Sequence, residues 1–72
     1  MDKAQLIEIA NTEMPFGKYK RRRLIDVPEE YLLWFARKDQ FAAGHLGELM
    51  ALTLLIKTEG LTQLVQPLKQ PR

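Results

Sequence analysis

Five cationic side chains crowd into six consecutive positions: Lys18, Lys20, Arg21, Arg22 and Arg23, with Tyr19 inside the run and Phe16 just before it. No acid lies between Glu13 and Asp26. The segment therefore carries five positive charges, while the whole chain, with 11 basic and 9 acidic residues, is only +2. Ammonium and guanidinium groups neutralise phosphates, and aromatic rings set among them can stack on unpaired bases. That chemistry points to DNA or RNA, with Lys18, Tyr19, Lys20, Arg21, Arg22 and Arg23 as the contact set. Two competing readings stay open. The charges can serve only to keep a solvated loop from pairing edge to edge, or they can meet a protein partner. Phe16 and Tyr19 can equally be anchors that hold the loop to a core.

Other chemistry finds little support. A zinc site needs several converging ligands, and the chain has one histidine, His45, and no cysteine. Glu29 and Glu30 form the only adjacent carboxylate pair, and a helix start already accounts for them. Gly17-Lys18 lacks the preceding glycine loop and the following Ser or Thr of a phosphate-binding loop. No catalytic, metal or cofactor residues are expected, and the chain reads as a non-enzyme.

Positioning the basic run falls to the flanking elements. Asp2 can cap a first helix over residues 2–11, with Leu6, Ile7, Ile9 and Ala10 on its apolar side and Asn11 as its stop. Pro15 and Gly17 then break the helical pattern. Alternation around Tyr19, with Leu24-Ile25 beyond, predicts a short two-stranded hairpin turning near Arg21-Arg22. A second helix starts at Pro28, with Tyr31, Trp34 and Phe35 sharing one face as core. Residues 39–45 connect it to a third helix over 46–59, stopped by Gly60. Leu46, Leu49, Met50, Leu52, Leu54, Leu55 and Ile56 leave that helix without a wide polar face. It is either central to the fold or shared with a second copy of the chain. Residues 61–65 add one more helical turn, and Pro67 and Pro71 predict a flexible tail over 67–72.

Seventy-two residues suit one domain, 1–72, near the lower limit for an unaided core. No disulfide can staple it, and 46% hydrophobic residues favour folding over disorder. The start of the sequence carries Asp2 and Glu8 where a secretory leader would be apolar. The apolar run Leu46–Ile56 contains Glu48 and is too short to span a bilayer. A cytoplasmic protein with no membrane partner is the expectation.

The stretch Met14-Pro15-Phe16-Gly17-Lys18-Tyr19-Lys20, followed by Leu24-Ile25-Asp26-Val27-Pro28-Glu29-Glu30-Tyr31-Leu32-Leu33-Trp34-Phe35, resembles a small bacterial family labelled putative quorum-sensing-regulated virulence factor. Leu46-Gly47-Glu48-Leu49 and the ending from Gly60-Leu61 to Pro67-Leu68 fit the same pattern. The shorter stretch Met14–Lys20 also looks like a C-terminal module of proofreading-type exonucleases, such as exodeoxyribonuclease X-like proteins. The resemblance implies a small hairpin packed on helices and, by analogy only, a link to nucleic-acid processing. The catalytic acids of those nucleases belong to a separate domain, so nothing catalytic carries over. This sequence departs from the family at Arg21, where Gly is common, at Ala42, where Pro is usual, and at His45, where Lys is usual.

Together these readings predict an α+β domain: a short two-stranded β-hairpin packed on a bundle of about three helices. Two functions compete. One is a non-catalytic accessory module that binds nucleic acid through the basic hairpin. The other is a protein-interaction or regulatory module that acts through the apolar helix, Leu46–Ile56, as a homodimer or with another protein.

Overall fold

The computed structural model describes residues 2–71. Among these the chain forms four α-helices: α1 (Lys3–Asn11), α2 (Glu29–Arg37), α3 (His45–Thr58) and α4 (Thr62–Val65). A 3₁₀ turn, Leu24–Asp26, precedes α2, and a second, Gln66–Leu68, continues α4. The start of α1 follows from its sequence. The Asp2 carboxylate accepts the Gln5 N–H at 2.9 Å, and the Gln5 side chain accepts the Asp2 N–H at 3.3 Å. This reciprocal cap satisfies donors that the first helical turn would leave unpaired.

α3 is the central element. It packs against α1, α2 and the first 3₁₀ turn. Gly47, Leu49, Met50, Thr53 and Ile56 are buried along it, and Leu46, Leu52 and Leu54 are half-buried. A helix enclosed on several sides needs apolar residues on several sides, so packing within one chain accounts for most of its apolar side chains, with Leu55 left 47% exposed. Thr53 is the buried polar residue here, and its hydroxyl donates to the Leu49 carbonyl at 2.7 Å.

Both long C-terminal helix ends close the same way. After α3, Gly60 takes φ +72°, its N–H donates to the Lys57 carbonyl, and the Leu61 N–H donates to the Ile56 carbonyl. After α2, Asp39 takes φ +53°, with Asp39 N–H to the Ala36 carbonyl and Gln40 N–H to the Phe35 carbonyl. These are paired left-handed caps, filled once by the residue with no steric penalty and once by an acid that tolerates the conformation.

The expected α+β class is overturned, and the expected hairpin is absent. Among the described residues there is no strand, only an isolated antiparallel bridge, Glu13 to Arg23. Three backbone bonds surround it: Leu24 N–H to the Thr12 carbonyl at 2.9 Å, Met14 N–H to the Arg22 carbonyl at 2.8 Å, and Arg21 N–H to the Met14 carbonyl at 2.8 Å. Pairing cannot extend either way. Pro15 has no N–H to offer, and the chain beyond Arg23 curls into the 3₁₀ turn. Residues 12–23 therefore form a closed loop with a one-bridge neck.

Arg21 sits in that loop at φ +74°, a conformation that favours glycine. The strain is roughly 1–2 kcal/mol. Arg21→Gly removes it but frees the unfolded chain by up to about 1 kcal/mol. Strain wins narrowly, so the variant should melt at slightly higher urea than the parent. A clear loss of stability would mean that the interactions of the Arg21 side chain outweigh its backbone strain.

The segment expected as a tail makes contacts through residue 70. Asn11 Nδ2 donates to the Leu68 carbonyl at 3.0 Å, and Asn11 Oδ1 accepts the Gln70 N–H at 2.7 Å. Lys69 Nζ lies 2.7 Å from Asp26 Oδ1. Partial burial alone would raise the Asp26 carboxyl, but the hydrogen bond and charge of Lys69, with help from Gln66 and Lys57, hold it below its ordinary value. No helix among the described residues is long and apolar enough to cross a membrane.

Candidate nucleic-acid interface

The neck of the loop is held from below. Met14, Leu24 and Ile25 are buried at its base, so the cationic residues between them ride on core packing. Gly17 has φ +81°, and a Cβ there would collide with the Tyr31 hydroxyl. The glycine thus lets the loop close directly onto α2. Tyr19 completes the contact: its ring meets Tyr31 edge-on, with centroids 4.8 Å apart and planes at 75°. Such edge contacts between rings are favourable beyond the area they bury.

Of the six residues expected to touch nucleic acid, Lys18, Lys20, Arg21 and Arg22 are exposed. Tyr19 is half-buried and serves as the loop's anchor, with Lys18 Nζ 5.6 Å and Arg22 Cζ 5.5 Å from its ring centroid. These cations lie within reach of the ring's negative face. Arg23 is different. It is half-buried, and its guanidinium donates to the Gln70 carbonyl. Its role in the structure is to tie the loop to the C-terminal segment.

The structure adds a groove that sequence reasoning did not identify. Lys18, Tyr19, Pro28, Glu30, Tyr31 and Trp34 line an open cleft of about 460 Å³, within the range of small-molecule sites. Trp34 is 48% exposed, which corrects its assignment to the core. Tyr31 and Phe35 are only half-buried. The three rings do share a flank of α2, but the helix buries Leu32. Trp34 lies roughly 200° round from Leu32 at 3.6 residues per turn, so it must face away from the core. Phe35 braces it edge-on at 5.0 Å, Phe16 meets Phe35 at 6.2 Å, and the Lys38 ammonium stands 5.7 Å over the Trp34 ring. The result is a continuous aromatic surface with the basic loop along its edge. Among the described residues Glu30 is the one carboxylate that lines it.

His45 lies elsewhere, as the first residue of α3 and not in the connector. Its Nε2 is 2.5 Å from Glu8, and its Nδ1 is 3.5 Å from Glu48. The hydrogen bond and charge of Glu8, followed by those of Glu48, raise its pKa above the ordinary histidine value. The ring bridges α1 to α3. Among the described residues no three His, Cys, Asp or Glu side chains are grouped to hold a metal ion.

Comparison with known proteins gives a consistent lineage. The chain is 84% identical over 71 residues to the uncharacterized protein YpeB of Escherichia coli strain K12, covering 99% of both chains. The same identity and coverage hold for YpeB of Escherichia coli O157:H7. No solved structure matches. Residues 2–68 match the model of the family described as putative quorum-sensing-regulated virulence factor, and the chain belongs to that family.

Proposed function

We propose that this chain is a non-catalytic accessory module that binds nucleic acid through its basic loop. The observation that carries the reading is the joining of two features. Four exposed cations, Lys18, Lys20, Arg21 and Arg22, sit on a loop fixed by the Tyr19–Tyr31 contact, beside a half-exposed tryptophan. Cations suit phosphates and exposed ring faces suit unpaired bases. The likeness of Met14–Lys20 to a module of proofreading-type exonucleases supports the same reading by analogy.

A salt titration tests it. With about four phosphates contacted, log affinity for a single strand should fall against log salt with a slope near −3. Lys20→Ala with Arg22→Ala should flatten that slope by roughly 1.4. Arg23→Ala should lower stability and leave the slope nearly unchanged, because Arg23 is engaged by Gln70. Absence of binding to any nucleic acid at low salt would refute the reading.

Leu55, Leu61 and Leu64 favour a second reading. They are 47%, 38% and 61% exposed at the end of α3, just after it and on α4, and exposed apolar side chains that share one patch suit a protein contact. In that reading the chain is an interaction module, as a homodimer or with another protein. A solution mass that stays at one chain's 8.4 kDa across concentrations would remove the homodimer.

A further inference from the structure

The aromatic groove contains one feature that phosphate binding does not use. Glu30 stands in a cleft whose other walls are two tyrosines, a tryptophan, a proline and a lysine. Its place in the first turn of α2 suits the helix dipole; within the groove the same carboxylate repels phosphate and matches a ligand group that donates hydrogen bonds. An ionised carboxylate only accepts, and its two oxygens match two adjacent donors. Among the four bases only guanine presents two adjacent donors on its Watson–Crick edge, N1–H and the exocyclic N2 amine. Adenine and cytosine place a ring acceptor next to their single amino group. Thymine and uracil flank their one N–H with two carbonyls. Those acceptors would face the Glu30 oxygens and be repelled.

We propose that the groove takes one unpaired guanine of a single strand, stacked on the face of Trp34 that Lys38 does not cover, with its Watson–Crick edge on Glu30. The strand's phosphates follow Lys18, Lys20 and Arg22 along the rim. The inference rests on the nucleic-acid reading above and adds the substrate class: single strands, with a guanine preference. Splayed bases stacked on aromatic rings and read on their Watson–Crick edges are the usual mode of sequence-specific single-strand recognition. A base held inside a duplex cannot offer that edge. Charge complementarity supports the occupant, with cations where phosphates would run and a carboxylate where base donors would point.

Trp34 is the chain's only tryptophan, so its fluorescence reports directly on the groove. The probes are fluorescein-labelled oligothymidylates that carry one central variable base, titrated at low salt and followed by anisotropy so that the Trp34 variants are read the same way, with the corresponding duplexes alongside. The guanine-containing strand should bind roughly tenfold tighter than the other three and quench Trp34. Glu30→Gln should remove the preference. Glu29→Gln, which changes the same helix start outside the groove, should keep it. Trp34→Ala should weaken all four strands by about tenfold, and Trp34→Phe should restore part of the loss. Salt-dependent binding with equal affinity for all four bases would overturn the guanine site and leave the phosphate reading standing. No binding to any strand would overturn both.

Discussion

Gly47→Ala should destabilise the protein by about 2 kcal/mol, although alanine is the better helix former. Gly47 is the third residue of α3 and is buried. Within a helix interior, alanine is favoured over glycine by roughly 1 kcal/mol. Against that gain stands a collision. A Cβ at position 47 would strike the Ala42 carbonyl oxygen and lie 3.0 Å from its carbon. Both atoms are backbone, so no side-chain rotation relieves the contact. Either α3 moves, and with it Leu49 and Met50 in the core, or residues 39–44 move. Phe41 and Ala42 of that segment pack on the core, so the second route also loses burial. Overpacking of this kind costs about 1–3 kcal/mol, occasionally more, and it outweighs propensity. Thermal melting should fall by roughly 8–16 °C for a loss of that size. Ala51→Gly, at an exposed position of the same helix, should cost only about 1 kcal/mol. If Gly47→Ala melted at or above the parent, the close approach of the connector to α3 would be wrong.

The same glycine shows what the sequence could and could not tell. The existence of α3 was plain from its apolar run and from Gly60, and its bounds differ from expectation by one residue at each end. The caps at Asp2 and Gly60 were readable because capping is local chemistry. What makes Gly47 necessary lies on a connector five residues away, whose path depends on the left-handed turns at Asp39 and Gly44. Neither turn could be assigned from pattern alone. The hairpin failed for a related reason. Alternation around Tyr19 is a strand signal, but a ladder needs donors on both sides, and the Pro15 and 3₁₀-turn neighbours remove them. Tyr19 alternates with charges because it anchors a loop onto Tyr31.

The candidate site was half legible. Charge clustering is visible in one dimension, so the basic run stood out at once. The groove is built from residues 18 and 19 together with 28, 30, 31 and 34, which only the folded loop brings together. Tyr31, Trp34 and Phe35 do fall on one flank of a helix, as their spacing says. Their assignment to the core rested on ring size, whereas the position of Leu32 decides which face is buried. A wheel centred on Leu32 would have turned Trp34 outward.

The second large effect should come from Asn11, whose amide makes two of the polar contacts that hold the C-terminal segment. Its Nδ2 donates to the Ile7 carbonyl at 2.8 Å and to the Leu68 carbonyl at 3.0 Å, and its Oδ1 accepts from the Gln70 N–H at 2.7 Å. Each such bond is worth roughly 1 kcal/mol net, and water can re-solvate some of the orphaned groups. Asn11→Ala should therefore cost about 2 kcal/mol. Asn11→Asp should cost more than Ala, about 3 kcal/mol, despite its nearly identical shape. A carboxylate keeps the Gln70 bond but has no proton for the two carbonyls. It also puts negative charge at the C-terminal end of α1, where the helix dipole opposes it. Protonation restores one donor, so the gap between Asp and Ala should narrow as pH falls through the carboxyl's range. The loss should spread beyond residue 11. Gln70 holds Arg23, and Lys69 holds Asp26, so releasing the segment frees one more cation for the basic loop. Urea melts rank the three proteins, and amide exchange at Gln70 shows whether the segment has let go. If Asn11→Asp proved as stable as the parent, the two donated bonds would carry no weight in holding the segment.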